Sequence, residues 1–97
     1  MDFTNPYIGA KRMRLEQHQL AQAIRLDMAA ELDAINLYTT HVDSTDDPLI
    51  KAMIQHIVDE EKEHLAEFEQ ILFRLDQLQH DKVGGAQHEM EERKKAA

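Results

Sequence analysis

The sequence predicts an all-α protein: an antiparallel hairpin of two long helices that dimerises into a four-helix bundle. Three observations predict it. Apolar residues recur at alternating steps of three and four along two stretches, which is the period of a bundle helix and not of a strand. A single short turn rich in capping residues separates the stretches. The chain has only 97 residues, too few to close a sizeable core easily without a partner.

The elements follow in order. Residues 1–10 read as an N-terminal arm, with Asn5, Pro6 and Gly9 as breakers. A first helix is expected from about Lys11 to Val42, with a seam of Ile24, Met28, Glu31, Ile35, Tyr38 and Val42. The run DSTDDP then turns the chain. Asp47 reads as the N-cap of the second helix and Pro48 as its first residue, where a missing N–H costs nothing. That helix is expected to reach roughly Gln79, with a seam of Ile50, Ile54, Ile57, Glu61, His64, Phe68, Ile71, Leu75 and Leu78. Gly84-Gly85 reads as a break, and the charged tail AQHEMEERKKAA as a short C-terminal helix or an unstructured end. The expected division is an arm at 1–10, a helical hairpin at 11–80 and a tail at 81–97. Leu32, Leu37, Leu65 and Leu72 widen the apolar surface beyond the seams and point to an assembly larger than a dimer.

Composition narrows the function. Nineteen acidic against eleven basic residues give a formal charge of −8, which disfavours nucleic acid and anionic membranes and attracts cations. No apolar run is long enough to span a membrane, and the N-terminus lacks the apolar centre of a secretory signal, so a cytoplasmic protein is expected. With no cysteine, any metal must be held by histidine and carboxylate.

Three seam positions are polar: Glu31, Glu61 and His64. In a hairpin turning near Asp46, Glu31 and Glu61 stand fifteen positions either side of the turn and reach the same height. His64 follows Glu61 by three residues, on the same face one turn along. Carboxylates in an apolar interior must be neutralised, paired or bound to metal. Carboxylate-bridged di-metal bundles take one Glu from each of two helices and Glu-x-x-His from each of the other two. This chain supplies half of that set, so a twofold dimer would complete the site, holding iron or other divalent metals such as manganese or zinc. The competing reading is a structural Glu–His pair that fixes dimer register in a non-catalytic helical assembly module. Tyr38, two turns from Glu31 on the seam, is either a hydroxyl behind the ligands or a core tyrosine. Glu60, Glu63 and Glu67 read as a solvated acidic face, and the other histidines as surface or interface residues.

AELDAINLY in the first helix and EEKEH in the second, at this spacing, resemble the encapsulated ferritins of the ferritin-like superfamily. The resemblance covers about residues 25–78. It implies a ferritin-like four-helix bundle formed by dimers, which assemble into a decameric ring, and a ferroxidase that oxidises Fe(II) to Fe(III) with oxygen at a di-iron centre between subunits. Carried across by motif, the catalytic and metal-binding residues are Glu31, Glu61 and His64, with Tyr38 behind them. An outer acidic site through which metal enters is reduced here to Asp33, because its companion position is Ala30. The resemblance also implies an encapsulin shell as partner and a location inside that nanocompartment, although the tail AQHEMEERKKAA does not look like the apolar docking peptide of such cargo. A rubrerythrin-like, peroxide-reducing role ranks lower, since the chain has no cysteine for the iron centre that feeds such enzymes electrons.

Overall fold

The computed structural model describes residues 14–97, so the expected arm at 1–10 lies outside the described residues. Three helices follow: α1 (Gln17–Asp43), α2 (Pro48–Leu75) and α3 (Gln77–Ala96). The fold of the described residues is all-α, with α1 and α2 packed as the expected hairpin and α3 in contact with α2.

Local chemistry sets the ends. Residues 14–16 are not helical, so α1 starts at Gln17 and not near Lys11. The extended backbone of Glu16 marks the boundary, and its N–H donates to Gln19 Oε1 at 2.8 Å. At the turn, Asp47 is the N-cap of α2 as expected: its Oδ1 accepts from the N–H groups of Leu49 (2.9 Å) and Ile50 (3.4 Å), and Pro48 is the first helical residue.

The hairpin core consists of Ala21, Ile24 and Val42 from α1 with Val58 and Leu72 from α2. Met28, Phe68 and Leu75 pack around the cluster of Ala21, Ile24 and Leu72. Each buried aliphatic side chain contributes about 1.5–3 kcal/mol. The expected seam of α2 needs correction. Ile50, Ile57, Ile71 and Leu78 are exposed, while Val58, at 2%, is the most buried of the described residues. Along α2 the hairpin face is Ile54, Val58, Glu61, Leu65, Phe68 and Leu72. The expected seam therefore combined two adjoining faces of one helix: one closes the hairpin, and the other lies open. Leu65 and Leu72, expected to add outer surface, instead turn inward against α1, half-buried and buried respectively.

The second helix stops at Leu75 rather than near Gln79, because Asp76 takes an extended conformation. Its side chain accepts from Gln79 N at 3.0 Å and caps α3, and it forms an ion pair with Arg25 of α1. Gln17 Nε2 donates to the Leu75 carbonyl at 2.7 Å, so α1 grips the elbow from both sides of the break. The expected break at Gly84-Gly85 is absent: α3 runs through both glycines to Ala96. Two glycines in mid-helix cost about 1 kcal/mol each relative to alanine. Contacts one turn apart offset part of that: Gln77 with Asp81, Glu89 with Arg93 and Glu92 with Lys95. No residue of α3 is buried. No helix of the described residues is long and apolar enough to cross a membrane.

Candidate metal centre

The hairpin brings Glu31 of α1 level with Glu61 and His64 of α2, as equal spacing from the turn predicts. Each offers one ligand atom, and these atoms lie within 4.8 Å of one another. His64 Nδ1 stands 3.7 Å from Glu61 Oε1, too far for a hydrogen bond and within reach of a shared ion. The Glu61 side chain is 20% exposed and that of His64 48% exposed, so the imidazole belongs to the open side of the hairpin rather than to its core.

The observation most informative about ligand chemistry is on Glu31. Its Oε2 is buried and has no hydrogen-bond partner among the described residues. A carboxylate oxygen removed from water without a donor calls for a positive partner. The cavity beside it, of about 340 Å³, is lined among the described residues by Glu31, His64, Glu67, Phe68 and Ile71, none of them a lysine or arginine. Two carboxylates and an imidazole fit a divalent cation, with oxygen and nitrogen ligands suited to iron, manganese or zinc. The donor set and the orphaned oxygen both favour a metal.

Glu67 is the residue that periodicity misplaced. It lies off the seam and reads as a solvated face, yet its side chain lines the same cavity. The usable signal was its position three residues after His64. Tyr38 is half-buried two turns from Glu31, its ring 6.1 Å from that of His41, and Asp33 is exposed. Neither lines the cavity.

A long α1–α2 hairpin carrying a lone Glu opposite Glu-x-x-His defines a ferritin-like helical protein. The sequence profile of the family described as ubiquinone biosynthesis protein COQ7 matches residues 18–79. The crystal structure of the encapsulated ferritin domain from Pyrococcus furiosus is similar with a TM-score of 0.80 and 32% identity, covering 91% of this chain and 90% of that one. The encapsulin nanocompartment cargo protein EncC of Myxococcus xanthus is 47% identical over 76 residues, 78% of this chain and 58% of that protein. The ferritin-like-encapsulin shell fusion protein of Pyrococcus furiosus is 32% identical over 88 residues, 91% of this chain. The chain thus spans 58% and 26% of the lengths of these two relatives. It belongs to the encapsulated ferritins of the ferritin-like superfamily.

Proposed function

We propose that this chain is a ferroxidase that takes Fe(II) as substrate at Glu31, Glu61 and His64 and passes its electrons to dioxygen, giving Fe(III). The observation that carries the reading is the convergence of these three side chains around a buried carboxylate oxygen without a partner. Glu31 and Glu61 lower the cost of oxidation, because anionic ligands stabilise the higher charge of Fe(III) more than that of Fe(II). His64 adds a neutral donor, so the site gains a ligand without a further charge.

One hairpin supplies half of the di-metal bundle pattern, and a second copy related by a twofold axis would supply the rest. Four carboxylates and two imidazoles would then carry about −4, which two divalent cations cancel. The open face of α2 favours this arrangement: Ile50, Met53, Ile57 and Ile71 are exposed on the side that also presents His64. Docking this face would bury them. The names of the relatives support an encapsulin shell as the partner and a location within that compartment. Three helices per chain are too few to enclose a mineral cavity, so this protein would oxidise iron for storage elsewhere.

The test is the rate of Fe(II) oxidation by oxygen at one iron per subunit, for the wild type beside His64→Ala. Oxidation well above background that the variant loses supports the reading. Equal background rates for both would overturn it and favour a module in which the three residues only set register.

A further inference from the structure

The cavity at the metal centre has one charged wall not needed by the di-metal pattern, the carboxylate of Glu67. Among the other acidic residues of α2, Asp59 accepts from Gln55 at 3.0 Å, Glu60 pairs with His56 and Glu61 faces His64, while Glu63 and Glu69 have no such partner among the described residues. Glu67 has none either, but unlike Glu63 and Glu69 it lines the cavity. Solvation falls from rim to site: Glu67 and His64 are exposed, whereas Glu61 and Glu31 are half-buried and Glu31 Oε2 is buried. The wall beyond His64 is apolar, formed by Phe68 and Ile71.

From this gradient we infer that Glu67 is a loading carboxylate: it receives an incoming divalent cation at the rim and passes it to Glu31, Glu61 and His64. The inference rests on the metal-centre reading and adds a residue to it. A hydrated dication loses water one ligand at a time, and its first protein ligand is most cheaply the carboxylate that itself gives up least hydration. Glu67 meets that condition, and Glu31 does not. The next ligand, His64, lies three residues away on the same helix, so the ion passes between neighbouring side chains without a helix moving. Glu67 thereby acts on the rate of filling, while the final ligands set the affinity.

The experiment uses the full chain stripped of metal, with Co(II) as the probe, followed by stopped-flow competition against a fluorescent metal indicator. In Glu67→Gln the association rate should fall by about two- to sevenfold, the range for one charge acting on a dication across roughly 7 Å of water with and without physiological salt. Its dependence on salt should become shallower, and the equilibrium stoichiometry should stay that of the wild type. Glu91→Gln makes the same charge change on exposed α3 and should keep the wild-type rate. A Glu67→Gln rate equal to that of Glu91→Gln overturns the inference, and so does a loss of stoichiometry, which would make Glu67 a permanent ligand. If the wild type binds no Co(II), or Glu61→Ala binds it unchanged, the metal-centre reading fails and this inference falls with it.

Discussion

Replacing Glu31 with leucine should move stability in opposite directions with and without metal. Without metal, Glu31 Oε2 is buried and unpartnered, and an unsatisfied buried polar atom costs about 1–3 kcal/mol. Glu31 is only half-buried, so the lower part of that range applies. Glu31→Leu should therefore stabilise the metal-free protein by about 1–2 kcal/mol, and at a chain of this size each 1 kcal/mol raises Tm by roughly 4–8 °C. With metal the order reverses. An ion at a hundredfold excess over its Kd stabilises the wild type by about 2.7 kcal/mol, and the variant, lacking a ligand, should gain little. Thermal unfolding followed by circular dichroism, at one protein concentration, in chelator and then in Mn(II) or Co(II), reads both signs. Glu31→Gln separates charge from polarity and should show a smaller gain in chelator. A variant that melts below the wild type in chelator, or that gains as much from metal, would refute the reasoning.

Three further outcomes are expected. Leu72→Ala should destabilise the hairpin by about 2–4 kcal/mol, measured by urea unfolding, because Leu72 is 4% exposed and sits in the core cluster with Ala21 and Ile24. Gly84→Ala should stabilise α3 by about 1 kcal/mol, since a Cβ there meets nothing within 4 Å; slower amide exchange in α3 would register it. Hydrogen bonds from Gln77 and then His80 hold the Asp81 carboxyl below its ordinary value of 3.8, so their support for the start of α3 is present above that pH and lost as pH falls through the lowered value. A helicity titration of the wild type against Asp81→Asn checks this, with the variant expected to show a smaller acid transition.

The hairpin was legible because spacing and capping agree: apolar periodicity gave two helices, and Asp47-Pro48 gave the turn to the residue. The turn also predicted that Glu31 and Glu61 share one height. Which face of α2 meets α1 was not legible, since alternating steps of three and four fit both the hairpin face and the open face. Only Val58, Leu65 and Leu72, one position beyond Ile57, His64 and Ile71, distinguish them; Val58 lay outside the seam read from the sequence, and Leu65 and Leu72 read there as mere widening. The elbow at Asp76 was hidden for a different reason. Leu75 and Leu78 keep the apolar spacing across it, and the contact that bends the chain comes from Arg25, 51 residues earlier. At Gly84-Gly85, intrinsic propensity argued for a break, whereas side-chain pairs one turn apart keep α3 continuous. Glu67 was misread because a long side chain reaches a cavity that its backbone position does not face.

The elbow has a consequence for how freely the sequence can vary. Asp76 meets two demands with one short carboxylate: one oxygen caps α3 through Gln79, and the other pairs with Arg25. Asparagine would keep the cap and lose the charge. Glutamate would keep the charge on a side chain too long for a good cap. Alanine would lose both. Position 76 is therefore among the least replaceable in the chain although it is neither buried nor a metal ligand, and a saturation library selected for folded protein should tolerate fewer residues there than at the open apolar positions Ile50 and Ile71.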